Sequence, residues 1–363
     1  MTRLLQRIGP KLPRLPVGVW GIFEFLTLDA EKSARGLKLA TVDFNWGLIG
    51  PGRIAETFAQ AMQAKGVGKL KAVASRNAQR GRAFADKYQI DTVCESYDLL
   101  YQDDSLDAIY IATPHNFHLE QALAAIARGK HLLVEKPLTV TAADSERLFA
   151  AARAKGVFVM EAMWSLFLPA YQQANAWLAE GGIGEINSLR SSFGFVVPRE
   201  PDDRLLNPEL AGGVLLDMGI YPVATSQWFM QAEPEGIISQ VHLGPTGVDE
   251  TCAIQLHYPN HKTSQLLCSF ECKYDNELTL FGSQGRIVLH NMFWGAKRIS
   301  LVGADDRVQT LDCPFEVNGF EYQIRHMIKC IAEGKLESEL MTHERTLSCQ
   351  RTMDAVRRQA GLL

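Results

Sequence analysis

The sequence predicts two joined α/β-type halves: a doubly wound parallel sheet, then an α+β half built on a large, mainly antiparallel sheet. Two patterns predict this. Between residues 44 and 160, short apolar runs alternate with helical stretches, the rhythm of βαβ units whose parallel sheet is covered on both faces. Between residues 186 and 290, segments alternate or carry β-branched residues, and polar or Gly/Pro-containing turns separate most of them, as in antiparallel strands. A chain of 363 residues has room for two domains at roughly 100–200 residues each. We expect an extension or arm over 1–41, a first domain over 42–163 and a second over 164–363. The crossing lies near Glu161–Pro169, and the C-terminal helices are free to pack back on the first domain.

Taken in order, Phe44 to Gly50 is a buried strand ending in glycine. Arg53 to Lys65 is a helix with Ile54, Phe58, Ala61 and Met62 on one face, stopped by Gly66. Lys71–Ser75 is a second strand, Ala78–Tyr88 a helix, Thr92–Cys94 a short strand and Ala108–Ala112 a clear one. Leu119–Arg128 is helical and closes at Gly129, before a strand at His131–Val134. Thr141, with Asp144 three residues on, caps a helix that runs to Lys155 and stops at Gly156, and Val157–Met160 is a strand. After a helix at Pro169–Ala179 come six strand segments: 186–195, 237–243, 250–257, 264–272, 277–281 and 285–290. Helices return at Phe320–Glu333 and His343–Ala360.

Composition narrows the function classes. The formal net charge is −4 and no basic stripe follows one helix or loop, which argues against nucleic acid as a partner. No run of 18 apolar residues occurs, so no membrane span is expected. The seven cysteines are irregularly spaced and form no C-x-x-C pair, so we expect reduced thiols in a cytoplasmic protein and no metal site. Arg3, Arg7, Lys11 and Arg14 precede an apolar patch over 17–28, but Glu24 interrupts it, so an arm is expected rather than a signal peptide.

Gly50-Pro51-Gly52-Arg53-Ile54-Ala55 is a G-x-G-x-x-A turn following a predicted strand and opening a predicted helix. Gly50 permits the turn, Gly52 lets backbone approach a pyrophosphate, and the helix N-terminus offers N–H groups to the phosphates. The first half is thus read as a dinucleotide-binding Rossmann domain. At the end of the second strand an acid would bind a ribose 2′-hydroxyl and select NAD. Ser75-Arg76 stands there instead, followed by Arg80 and Arg82, so NADP is favoured over NAD. Glu135-Lys136-Pro137 follows an apolar strand at the sheet edge where ligands bind. Asp217 and Tyr221, four apart, are expected on one helical face.

From about Phe44 to Leu363 the chain resembles the Gfo/Idh/MocA oxidoreductases, within them the dihydrodiol and NADP-dependent D-xylose dehydrogenase branch. The separated motifs that carry the likeness are Gly50–Ala55, Ala112-Thr113-Pro114-His115-Asn116-Phe117-His118, Glu135-Lys136-Pro137, Glu161-Ala162-Met163-Trp164, Gly212 through Tyr221, and Leu336 through Met341. The resemblance implies that Lys136 lies beside the nicotinamide ribose and the reacting carbon, that Tyr221 is the acid/base, and that Asp217 is the acidic residue of the pocket. It implies that Glu135, Thr113, Pro114 and His118 join Gly50, Gly52, Arg53, Ile54, Ser75 and Arg76 around the cofactor. It also implies an open-faced second sheet whose outer face pairs two subunits into a homo-oligomer. Leu166 stands where the branch usually has Arg or a similar polar group, which removes a partner for an anionic substrate.

The expected chemistry is hydride transfer to or from a carbinol carbon of an aldose or vicinal diol. Tyrosine's ordinary pKa near 10 is high for a base, and the Lys136 ammonium is expected to lower it. Trp164 either lines the substrate pocket or packs the hinge, and Arg204 either reaches a substrate hydroxyl or lies in a solvated loop. His115 and His118 flank a βα loop, with His118 touching the cofactor or bracing the loop. Two other readings stand beside this one: a sugar–sugar oxidoreductase with permanently held NADP(H), and a non-catalytic NADP-binding regulator.

Overall fold

Six short strands make the first sheet: β1 (Asn45–Ile49), β2 (Lys69–Ala74), β3 (Thr92–Cys94), β4 (Ala108–Ile111), β5 (His131–Val134) and β6 (Val159–Glu161). All four residues of β4 are buried, as a strand covered on both faces requires. The computed structural model describes residues 43–200 and 203–363. The arm expected over 1–41 lies outside them. The strand order is β3-β2-β1-β4-β5-β6, every pair parallel, as the alternating rhythm predicted. The order turns back between β1 and β4, which opens a crevice at the carboxyl ends of the strands.

The covering helices are α1 (Arg53–Ala61), α2 (Ala78–Tyr88), α3 (Tyr97–Tyr101), α4 (His118–Ala127) and α5 (Ala142–Lys155). Thr141 caps α5 by accepting the Asp144 amide, and Gly156 ends it in the left-handed region at φ 70°. α1 stops at Ala61 rather than Lys65, because the amides of Met62, Gln63 and Ala64 each bond three residues back. Phe58 and Ala61 are buried as expected, whereas Ile54 in the first turn is 37% exposed.

The second sheet has eight strands: β7 (Ile186–Gly194), β8 (Gly236–Leu243), β9 (Asp249–His257), β10 (Thr263–Ser269), β11 (Leu278–Gly282), β12 (Gly285–Leu289), β13 (Arg298–Gly303) and β14 (Val308–Asp312). Its order is β14-β13-β12-β11-β7-β10-β9-β8. The pairing is antiparallel except at the centre, where β7 and β10 run parallel. A parallel pair needs a long crossover. Here the chain supplies it by passing through α7 (Ile220–Met230) and the β8–β9 hairpin before returning. β9 alternates between buried and half-buried residues, so one face of the sheet is packed.

The same fold closes back on the first half. α6 (Pro169–Ala179) follows the crossing, and α8 (Phe320–Ala332) and α9 (His343–Gln359) end the chain. From α9, Asp354 accepts the Ala142 amide at 2.9 Å and Gln350 donates to the Thr139 carbonyl at 2.9 Å. One apolar cluster runs from Trp46 and Phe58 through Leu168 and Tyr171 to Phe193 and Leu280, so both sheets share a core. Among the described residues no helix is long and apolar enough to cross a membrane.

Candidate active site

The glycine turn is shaped by what surrounds it. Gly50 lies at φ +83°, and a Cβ there would stand 2.8 Å from Thr113 Cγ2 and 2.9 Å from the Ala112 carbonyl carbon. Gly52 N-caps α1, and no side chain bonds the cap. A Cβ at Gly52 would meet nothing nearer than 3.9 Å, so the first-turn amides are open to approach, with exposed Arg53 and Ile54 beside them. An open helix N-terminus presenting unsatisfied N–H groups fits a dinucleotide's phosphates.

Ser75 and Arg76 follow β2 along the same edge. Ser75 accepts the Asn77 amide at 3.2 Å. Arg76 is exposed, with its guanidinium 4.8 Å from the Phe117 ring centroid. The Phe117 ring supports the fork from one side and leaves its edge to a partner.

Across the crevice, the loop after β4 is held from within. Thr113 donates its hydroxyl to Gln121 at 2.7 Å. The fully buried His118 ring sits between two backbone carbonyls, Thr113 O at 2.8 Å and Pro137 O at 3.0 Å. His118 donates to one of these carbonyls and packs its other nitrogen against the second, so it braces Thr113 and the Lys136–Pro137 segment and turns neither nitrogen to the crevice. His115 is the opposite case. It is buried, its Nδ1 has no protein partner, and burial pushes its pKa well down, so a neutral imidazole lies beside the crevice.

Lys136, at the end of β5, is where the halves meet. Its ammonium donates to the Asp217 backbone carbonyl, stands 3.6 Å from Asp217 Oδ1 and lies 5.0 Å from the centre of the Tyr221 ring. Arg204 reaches the same Oδ1 at 3.0 Å. Burial opposes the Asp217 charge, but the Lys136 ammonium and Arg204 guanidinium overcome it and hold the carboxyl well below the usual range. The Lys136 and Asp217 side chains keep 12% and 17% of their surface, so the pair faces the crevice.

The phenol does not behave as expected. Burial pushes the Tyr221 pKa well up, the Glu135 carboxylate adds to this, and the Trp164 N–H only partly opposes it. The ammonium expected to lower it is engaged by Asp217 instead. Trp164 donates its indole N–H to the Tyr221 hydroxyl at 3.1 Å. Glu135, expected at the cofactor, turns inward: it is buried, accepts from the Tyr110 phenol at 2.5 Å and from the Lys136 amide at 3.3 Å. Asp217 lies in a π-helical turn, Leu215–Gly219, that leads into α7, and this wider turn brings both Asp217 and Tyr221 to Lys136.

Residues 44–163 match the model described as the oxidoreductase family, NAD-binding Rossmann fold, and residues 171–288 match the GFO/IDH/MocA C-terminal domain. The chain belongs to the Gfo/Idh/MocA oxidoreductase family. It is 31% identical over 325 residues to the Homo sapiens trans-1,2-dihydrobenzene-1,2-diol dehydrogenase, covering 87% of this chain and 97% of that one. The Mus musculus protein of that name is 33% identical over 305 residues, covering 82% and 90%. Among solved structures it is similar to a 3-ketoreductase from Actinomadura kijaniata in complex with NADP and TDP-benzene. That likeness has TM-score 0.79 and 29% identity, and covers 87% of this chain and 98% of that one. An aldose-aldose oxidoreductase from Caulobacter crescentus shares the fold at TM-score 0.81 and 22% identity, over 88% of this chain and 98% of that one.

Several residues of this family member were not legible as site-builders. Glu161 is buried beneath the Glu135-Lys136-Pro137 segment, accepting the Leu138 amide at 2.8 Å and the Thr346 hydroxyl at 3.0 Å. Burial lifts its pKa to about 7. Asp249 accepts the Leu215 amide at 2.6 Å and so anchors the turn that carries Asp217. Gly213, at φ +118°, makes room for it: a Cβ there would lie 2.2 Å from Asp249 Oδ1. The Gly212-Gly213 pair was a motif in the sequence, but its partner carboxylate 36 residues on carried no local signal.

Proposed function

We propose that this chain is an NADP-dependent dehydrogenase that transfers a hydride between nicotinamide and the carbinol or carbonyl carbon of an aldose or vicinal diol. One observation carries the reading: Lys136 from the Rossmann half and Tyr221 from the other half meet at 5.0 Å, at the carboxyl edge of the parallel sheet. The names of the relatives, diol dehydrogenases and a ketoreductase solved with NADP, support the substrate class and cofactor.

Gly50, Gly52, Arg53 and Ile54 would hold the phosphates, Ser75 and Arg76 the 2′-phosphate end, and Thr113 and Pro114 the edge of the crevice. Arg76 replaces the acid that a 2′-hydroxyl would require, which favours NADP over NAD. The bound dinucleotide supplies the hydride donor or acceptor. Tyr221 handles the proton. An indole N–H only donates, so the phenol oxygen accepts from Trp164 and its own O–H is left to donate. A buried phenol that holds its proton suits protonation of a carbonyl oxygen. In the oxidative direction the steps reverse, and it is the phenolate form of the same oxygen that takes the substrate hydroxyl's proton as hydride leaves carbon. Lys136 supplies positive charge where an alkoxide develops, and Asp217 fixes its ammonium. Trp164 and Arg204 border the substrate side, Trp164 through Tyr221 and Arg204 through Asp217.

The outer face of the second sheet exposes Ile238 at 62% and Leu267 at 40%, which supports a homo-oligomer through that face. Seven free cysteines support a reducing, cytoplasmic setting. The test is steady-state turnover with NADP and NAD over a panel of aldoses and trans-dihydrodiols, read by reduced-nicotinamide absorbance. NADP-linked turnover that Tyr221→Phe lowers by about 10²–10⁴-fold is expected. Tight NADP(H) binding with no turnover across the panel overturns the reading.

A further inference from the structure

Away from the crevice, α8 and the segment after it bring three metal-ligating side chains together. His326 and Cys330 are four apart on α8 and so share a face. Glu339 reaches them from the connection to α9. His326 Nε2 lies 3.3 Å from Cys330 Sγ, Cys330 Sγ lies 3.4 Å from Glu339 Oε2, and Nε2 lies 4.0 Å from that same oxygen.

We propose that His326, Cys330 and Glu339 form a zinc site, tetrahedral, with its fourth position open to water. Zinc–nitrogen, zinc–sulfur and zinc–oxygen bonds of about 2.0–2.3 Å at tetrahedral angles put the donor atoms roughly 3.3–3.6 Å apart. Two of the three separations lie in that range already, and Glu339, on an exposed connection, closes the third by a small shift.

The protons are arranged for exchange. Ser338 Oγ accepts the amides of Leu340 and Met341, which leaves its O–H to donate to His326 Nε2 at 2.7 Å. Nε2 therefore carries a lone pair, which the Ser338 hydroxyl holds until an ion displaces it. The Cys330 sulfur, fully buried, gives its one proton to Glu339 Oε2 at 3.4 Å and lies 3.3 Å from His326 Nε2. On binding, zinc takes the Nε2 lone pair, the thiolate and one carboxylate oxygen. The thiol proton leaves to solvent, and the Ser338 hydroxyl gives up its bond to Nε2. One dication, one thiolate and one carboxylate leave the centre neutral, so its burial carries no net charge. Lys335, 3.1 Å from Glu339, keeps its second partner Glu333 at 2.8 Å. The His326 ring is held against Phe167 at 4.9 Å, so its plane is set before the ion arrives. A mixed N, S and O donor set selects zinc over magnesium or calcium.

The sequence offered no paired zinc motif. The site exists only because the chain folds Glu339 back onto the helix face. The full chain, stripped by a chelator, is titrated with Zn²⁺ against a chromophoric competitor, and Co²⁺ serves as an optical probe. One equivalent of zinc and a thiolate-to-cobalt charge-transfer band are expected. Glu339→Gln should weaken zinc about tenfold or more while keeping hydride transfer, and Cys330→Ser should abolish the cobalt band. Should the buried serine variant fail to fold, Glu339→Gln decides alone. No uptake, uptake undiminished by Glu339→Gln, or a cobalt adduct without thiolate absorption overturns the proposal.

Discussion

Trp164 donates its indole N–H to the hydroxyl of Tyr221 across 3.1 Å, joining the residue after the domain crossing to the phenol of the second half. The indole can only donate, so it fixes which way the phenol's own proton points. Trp164→Phe keeps the ring's packing against Phe320 and removes the donor. A net hydrogen bond of about 0.5–1.5 kcal/mol translates to a loss of roughly 2–13-fold. We expect that loss in kcat, with KM for the dinucleotide unchanged. A variant with wild-type kcat would show that the phenol is oriented by something else.

Lys136 holds Asp217 from two sides, through its backbone carbonyl and its carboxylate. Lys136→Met leaves that carboxylate with Arg204 as its cationic partner at 3.0 Å. The Asp217 pKa should therefore rise toward the ordinary range, and kcat/KM should fall by about 10²-fold or more as charge at the developing alkoxide is lost. Dinucleotide affinity, read by fluorescence titration, should change far less than kcat. Equal losses in both would move Lys136 from the chemistry to cofactor binding.

How much of this was readable beforehand differs by element. Most of the βαβ half was legible because its buried strands and longer helices announce themselves locally, as Thr141 and Gly156 do at the two ends of α5, whereas the five-residue α3, though capped by Ser96, was too short to show a period. β14 was not: four of its five residues, Val308, Gln309, Thr310 and Asp312, are exposed, so an edge strand leaves no alternation to read. Lys136 and Tyr221 stood in motifs. Tyr110, 25 residues before the Glu135 it bonds, stood in none, because a buried partner is fixed by sheet register and not by spacing. The misjudged phenol has the same origin. Proximity of an ammonium was foreseeable, but its engagement by Asp217 and the depth of Tyr221 were not.

Arg76 offers a test of cofactor choice, since it is exposed and its protein contacts are the Phe117 ring and the Tyr97 phenol. A charge-assisted hydrogen bond contributes about 1.5–3 kcal/mol, which is roughly 10–150-fold in affinity. Arg76→Ala should raise KM for NADP by that factor while KM for NAD stays within about twofold. Equal effects on both dinucleotides would place Arg76 away from the 2′-phosphate.

Glu161 should give the protein a measurable pH signature. Its carboxyl is 1% exposed, and burial lifts its pKa from the usual 4.5 to about 7, against the Leu138 amide and Thr346 hydroxyl that favour its charge. The folded state therefore binds more protons than the unfolded one between these values, and stability falls as pH rises through that window. The contribution is fully present below about 4.5 and lost above about 7, up to about 3 kcal/mol at 1.36 kcal/mol per unit. His326, whose pKa burial lowers to about 4, pulls the other way, so the wild-type curve mixes opposing slopes. The difference between wild type and Glu161→Gln isolates the one group. Urea midpoints should show the variant gaining on wild type steadily from pH 5 to pH 7.5. Parallel curves across that range would mean that Glu161 is ionised in the fold, and that Leu138 and Thr346 suffice to hold its charge.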